Sequence, residues 1–363
     1  MLTYLLLAIA STTISFLITP QIRRRMMARG FVDKPDARKV HTEAVPRLGG
    51  IAIYLGFCVA LFIAYVRQPK AFDEREFQVI GLVIASTFIL IVGAIDDVRN
   101  LRPWIKLLAQ IVAASILLIF DYSVESISNP FGGSLELGIL SYPFTILWII
   151  GIMNAINLVD GLDGLASGVA LIVAMTIFLI SLYLGKTFVA LIAFGLAGSI
   201  LGFLRHNFYP AKIFMGDSGS LFLGLVLAAL GLISSQKSAV SFAIVIPFIA
   251  LGYPVLDTAL AIIRRAKAKK NIFSADREHI HHVLIAYGYS HQKTVIVLYI
   301  ICLFFASMAF LFAAFNKSNH FIMGVLLFVA LFSFFFVRFL SYARVLTSKP
   351  GLRDTKAPTK AEL

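Results

Sequence analysis

The 363 residues are 59% hydrophobic and 14% charged, against about 25% charged in soluble domains, and this excludes a water-soluble globule. The mean hydropathy of +0.89 comes in apolar blocks of about 20 residues, the length needed to cross a hydrocarbon core about 30 Å thick. The net charge of +13, from 32 Lys and Arg against 19 Asp and Glu, sits in the loops between blocks. It therefore reports membrane topology and not nucleic-acid binding. The fold class is an all-α polytopic integral membrane protein.

Apolar runs bounded by charge or turn residues predict eleven spans, near 2–20, 48–66, 78–95, 105–120, 140–156, 165–184, 187–204, 219–234, 240–263, 294–315 and 320–342. The first block lacks a basic leader and is followed by Arg23, Arg24 and Arg25, the reverse of a cleavable signal peptide, so it reads as a retained span. Residues 121–139 alternate in Ser-Leu-Glu-Leu after Gly132 and Gly133, which predicts a short extracytoplasmic hairpin. Cys58 and Cys302 both fall inside apolar runs and make neither a CxxC pair nor a disulfide framework. The tail 347–363, rich in Lys, Pro, Thr and Ala, has no apolar period and reads as disordered. Residues 1–346 are then one transmembrane domain. Lys and Arg divide 26 to 6 between the two sets of alternate loops, which predicts the N-terminus outside and the C-terminus in the cytoplasm.

Carboxylates are few, so their places are informative. Asp96 and Asp97 end the third predicted span, Asp160 and Asp163 lie in Asn154-Ala-Ile-Asn157-Leu-Val-Asp160-Gly-Leu-Asp163-Gly, and Asp217 lies in Phe214-Met-Gly-Asp217-Ser-Gly-Ser. All five fall on the loop set read as cytoplasmic. Converging carboxylates repel unless a cation compensates them, and oxygen donors with no cysteine nearby favour Mg²⁺ or Mn²⁺, held jointly with substrate phosphates. Lys39, Arg47, Lys106, Arg277, His279, His281 and His282 on the same face can neutralise or hydrogen-bond phosphate oxygens. An Asp pair at a helix end, a Gly-rich turn or an interfacial Phe214 can each be purely structural; their common membrane face is what joins them. The run Arg264 to Lys270 reads as a lipid-facing topology determinant, and Asp257, within an apolar span, as a functional candidate or the partner of a neighbouring helix. His279-Ile-His-His282 lacks the carboxylate spacing of a zincin.

These motifs, with Asp96-Asp97-Val-Arg-Asn100, Asn207-Phe-Tyr-Pro-Ala-Lys-Ile-Phe214 and Pro46-Arg-Leu-Gly-Gly50, resemble the polyprenyl-phosphate N-acetylhexosamine-1-phosphate transferases, glycosyltransferase family 4. The match runs in order from about Asp33 to the tenth span. Its His-Ile-His-His form is similar to the branch that acts on UDP-N-acetylglucosamine and undecaprenyl phosphate in O-antigen, common-antigen or teichoic acid synthesis. Val283 stands where the peptidoglycan branch, which uses a muramoyl-pentapeptide donor, usually has a third histidine.

The resemblance implies transfer of a sugar 1-phosphate to a polyprenyl phosphate with release of UMP and a need for Mg²⁺, in a bacterial inner membrane, with membrane lipids and a second copy of the chain as candidate partners and no nucleic acid. It implies Asp217 as metal ligand helped by Asn157, Asp96 as the group activating the acceptor phosphate, and Asp97 in support of either. Asn207 and Phe214 would form the uracil pocket, and Asp160 and Asp163 would hold the nucleotide and catalytic loop. Asn154, Asn100 and Lys106, with Lys39 and Arg47, are expected at substrate, and Arg277, His279, His281 and His282 at the pyrophosphate and sugar. A rival of another class, a secondary transporter of an anion, predicts carboxylates near mid-span. Here they lie at span ends.

Overall fold

The computed structural model describes residues 2–33, 44–128, 134–235, 245–267, 280–315, 324–336 and 338. The basic tail 347–363 lies outside them. The helices are α1 (Leu2–Ala28), α2 (Gly50–Arg67), α3 (Pro69–Phe72), α4 (Glu76–Arg99), α5 (Pro103–Ile119), α6 (Ser141–Val159), α7 (Leu165–Tyr183), α8 (Thr187–Asn207), α9 (Gly216–Ser235), α10 (Val245–Ala250), α11 (Gly252–Lys267), α12 (Ile280–Ala286) and α13 (His291–Ala314), followed by α14 (Gly324–Phe336). Among the described residues eight helices are long and apolar enough to cross a membrane; α5 and α14 are apolar but shorter. This is a helical, multi-pass membrane protein.

The ninth expected span, 240–263, is not one helix. It divides at Leu251 into α10 and α11, because Pro254 has no N–H to give the carbonyl of Ala250 and its ring would clash there. Gly252 follows the break, and a Cβ on it would come within 2.4 Å of the Phe305 ring on α13. The expected hairpin forms as β3 (Ser126–Ser128) paired antiparallel with β4 (Ser134–Glu136), with Ile127 opposite Leu135. A second small ladder, β1 (Val32–Asp33) with β2 (Val45–Pro46), sets Val32 opposite Pro46.

The helices assemble around α9, whose apolar window is 89% buried against 28% for α1. It packs on α2, α4, α6 and α7, while α8 packs on α1, α2 and α7. Small residues permit these approaches, as in other membrane helix pairs. A Cβ on Gly50 would lie 2.2 Å from the backbone nitrogen of Gly219, one on Gly93 2.6 Å from the Cα of Ser218, and one on Gly224 2.5 Å from the Cα of Met153. Three helices thus press their backbones against α9, and two of them meet it in its first turn, beside Asp217.

Candidate active site

The C-terminal ends of α4, α6 and α8 and the N-terminal ends of α5, α7 and α9 meet at one end of the bundle. Asp97 fixes the first turn of α9. Its carboxylate accepts the backbone N–H of Asp217 (2.7 Å) and of Ser218 (3.1 Å) and the Ser218 hydroxyl (2.8 Å), satisfying donors that a helix start leaves orphaned, next to the positive end of its dipole. Asp97 therefore ties α4 to α9 and sets where Asp217 stands.

Asp217, half-buried, is held from two further sides. Asn157 Nδ2 donates to its Oδ1 (3.0 Å) and to Ser220 Oγ (2.8 Å), and Lys106 Nζ donates to its Oδ2. The same ammonium donates to Asp96 Oδ2 at 2.7 Å, while the other oxygen of Asp96 accepts the N–H of Leu101 at 2.6 Å. Lys106, brought in by the first turn of α5, thus bridges two carboxylates from different helices. Asn100 is exposed and ends α4 with φ 50°, turning the chain so that α5 can present Lys106. The amide of Asn154 exchanges hydrogen bonds with Gln110 of α5, at 2.7 and 3.3 Å, and also donates to the Ile150 carbonyl (2.9 Å), joining α5 to α6.

Asp160 and Asp163 follow α6. Burial first, then the negative charges of Asp217, Asp97 and Asp163, pushes the Asp160 carboxyl up to about 8, with Arg47 opposing. Arg47 itself pairs with Asp33 at 2.8 Å. Asp163 Oδ2 accepts the N–H of Ala211 (2.9 Å), linking the 160–164 loop to the segment that leads to Phe214. Asn207 is 3% exposed, donates to the Ile213 carbonyl (3.0 Å) and accepts the Ser167 hydroxyl (2.6 Å). These bonds fold the 208–213 segment that leads to Phe214.

The Pro46 to Gly50 motif completes the frame around half-buried Phe214. Phe214 N donates to the Pro46 carbonyl (2.9 Å), Gly49 N to the Phe214 carbonyl and Gly50 N to the Met215 carbonyl, both at 3.0 Å. A Cβ on Gly49 would fall 2.3 Å from the Phe203 ring. His281 is buried and its ring lies 4.2 Å from that of His282; a Cβ on Gly161 would come within 2.5 Å of its Nε2, so the histidine helix rests on the Asp160 loop. Buried Asp257 accepts the N–H of Ile280 (2.9 Å) and so anchors α12 to α11, the neighbouring-helix role. Lys39, Arg277 and His279 lie outside the described residues.

Ser218, Ser220, Ser167, Gln110 and Tyr299 are members of this network that sequence reasoning did not single out. The two serines belong to the Gly-Asp-Ser-Gly-Ser run, which marked the place. Tyr299, whose hydroxyl donates to the Gly164 carbonyl at 2.6 Å, is 135 residues away in sequence and carries no local signal.

Among the described residues no three His, Cys, Asp or Glu groups form a closed metal cage. The carboxylates of Asp96 and Asp217 converge on the Lys106 ammonium, a donor set that suits Mg²⁺, which takes one or two carboxylates and completes its shell with phosphate oxygens and water.

A profile described as glycosyl transferase family 4 matches residues 79–235, which hold α4 to α9 and the Asp96, Asp217 and Lys106 cluster. The chain is 41% identical over 302 residues, 83% of its own length and 82% of the relative's, to a probable undecaprenyl-phosphate N-acetylglucosaminyl 1-phosphate transferase of Bacillus subtilis (strain 168). The chain belongs to glycosyl transferase family 4. Two other relatives are a decaprenyl-phosphate N-acetylglucosaminephosphotransferase of Mycobacterium tuberculosis (strain ATCC 25618 / H37Rv), 36% identical over 81% of this chain and 79% of the relative, and an undecaprenyl-phosphate alpha-N-acetylglucosaminyl 1-phosphate transferase of Escherichia coli (strain K12), 28% identical over 84% and 82%. The alignments with these relatives span most of both chains, so the likeness extends beyond the profile-matched core.

Proposed function

We propose that this membrane transferase moves N-acetylglucosamine 1-phosphate from UDP-N-acetylglucosamine to undecaprenyl phosphate, yielding undecaprenyl-diphospho-N-acetylglucosamine and UMP and so starting a cell-envelope polysaccharide. The observation that carries the reading is Lys106 held between Asp96 and Asp217 at the meeting of α4, α5 and α9. An oxygen of the acceptor phosphate attacks the β-phosphorus of the donor, and the bond between that phosphorus and the oxygen bridging to UMP breaks. Such a transfer needs charge neutralisation and in-line positioning more than covalent chemistry.

In this reading Asp96 and Lys106 orient the acceptor phosphate, with the ammonium directed at its oxygens. Asp217 and Asn157 hold Mg²⁺, which when bound neutralises charge on the pyrophosphate. Phe214 stacks on uracil with Asn207 in the same pocket, held by the Pro46 to Gly50 segment. Asp160 and Asp163 position the nucleotide loop, Arg47 and Lys39 add positive charge on the donor side, and His281 and His282, with Arg277 and His279, face the sugar. Eleven crossings with the N-terminus outside put all of this on the cytoplasmic face of a bacterial plasma membrane, where nucleotide sugars are available.

The test supplies purified protein with undecaprenyl phosphate, Mg²⁺ and, in turn, UDP-N-acetylglucosamine, UDP-N-acetylgalactosamine and UDP-N-acetylmuramoyl-pentapeptide, and measures UMP. Release with the first donor and little with the last is expected. Preference for the pentapeptide donor would move the chain to the peptidoglycan branch, and no UMP from any donor would favour transport.

A further inference from the structure

A cavity of about 400 Å³ at the C-terminal end of α8 is lined by Leu201, Leu204, Arg205, Phe208, Tyr209, Pro210 and Lys212. Its two ends differ in chemistry. Leu201 and Phe208 are 52% and 39% exposed, an apolar wall at the C-terminal end of α8. Arg205 and Lys212 are exposed cations at the mouth, and among the described residues neither is paired with a carboxylate. Arg23 at the end of α1 closes the same edge by donating Nε to the Lys212 carbonyl at 3.0 Å.

The wall is also rigid. Lys212 N donates to the His206 carbonyl (2.9 Å) and Phe208 N to the Leu204 carbonyl (2.8 Å), while on the far side Asp163 accepts the N–H of Ala211. That carboxylate is therefore spent on the backbone of the segment, and Arg205 and Lys212 remain exposed positive charges in the pocket lining. An apolar slot with two cations in its lining fits an anionic phosphate headgroup carried on apolar chains. We propose that this pocket binds the headgroup of an anionic phospholipid from the leaflet on the catalytic side, distinct from the polyprenyl phosphate. Such a lipid would brace the segment 208–212 that leads to Phe214.

Delipidated protein in detergent would be titrated with phosphatidylglycerol, with phosphatidylcholine of the same acyl chains, and with free glycerol 3-phosphate, counting adducts by native mass spectrometry. The wild type should retain one phosphatidylglycerol in preference to phosphatidylcholine. Arg205→Gln with Lys212→Gln should weaken it about 30-fold, since each basic side chain near an anionic surface contributes roughly fivefold. Arg24→Gln with Arg25→Gln, at the same end of the bundle but outside the pocket, should not. Leu201→Trp, which fills the apolar slot and leaves the charges, should also lose the lipid, so the proposal stays testable if the double variant misfolds. Equal retention by the pocket variants would overturn it. So would glycerol 3-phosphate binding as tightly as the lipid, or dissociation of a dimer on Arg205 and Lys212 substitution with lipid binding unchanged.

Discussion

Phe214 is held in place by backbone hydrogen bonds to Pro46 and Gly49, so its ring can be removed without releasing the segment that carries it. Phe214→Ala should weaken UMP binding by about 1 to 3 kcal/mol, the worth of one base stacked on an aromatic ring, while thermal unfolding stays near that of the wild type. Calorimetric UMP titration checks this, and unchanged affinity would remove Phe214 from the nucleotide pocket. Asp160 makes a different prediction. Its carboxyl ordinarily titrates at 3.8 but in the fold is raised to about 8, so between those values the folded state holds a proton that the unfolded chain has lost. Stability should therefore fall as pH rises from about 4 to 8, by linkage, and level off above. In metal-free buffer, Asp160→Asn should flatten the pH dependence of the unfolding temperature; an unaltered slope would contradict the raised value. Asp96, Asp160 and Asp217 were legible in the sequence because charge is rare in an apolar chain. What each amide does was not: Asn207 and Asn154 find Ser167 and Gln110 at separations of 40 and 44 residues, and no local pattern encodes such a pair.

At the scale of elements, the site depends on how closely α2 and α4 approach the first turn of α9. Gly50→Ala would put a Cβ 2.2 Å from Gly219 N, against backbone that cannot rotate away, and overpacking of this kind costs typically about 1 to 3 kcal/mol. A lower unfolding temperature and lost turnover are expected together. Gly151→Ala on α6, with nothing within 4 Å of its would-be Cβ, should be neutral or slightly stabilising, since an exposed helical glycine costs up to about 1 kcal/mol relative to alanine. If the two variants behave alike, close approach is not what places Asp217. Helices whose apolar runs are long and uninterrupted, such as α4, α7 and α8, could be read from hydropathy. The division of the ninth span could not, because an apolar window averages over Pro254. Only the packing of Gly252 on Phe305 shows where the chain turns.

For the whole molecule, the basic residues predict its orientation in the membrane. With 26 of 32 Lys and Arg in one set of loops, cysteines introduced at Ser128 in β3 and at His282 in α12, probed in intact cells with an impermeant thiol reagent, should label only at Ser128. Labelling at His282 alone would invert the orientation. The family and the membrane architecture were legible in the sequence, since they follow from motif order and apolar run length. The way Asp97 joins α4 to α9 was not, since it depends on a contact across 120 residues. The most direct test of the account is UMP release from UDP-N-acetylglucosamine and undecaprenyl phosphate, compared for wild type and Asp217→Asn across a Mg²⁺ titration. Metal-dependent release by the wild type is expected, with a loss of about 100- to 1,000-fold in the variant, the range for removing one group from a preorganised electrostatic site, and with folding intact. Near wild-type release by Asp217→Asn with the same Mg²⁺ dependence would contradict it.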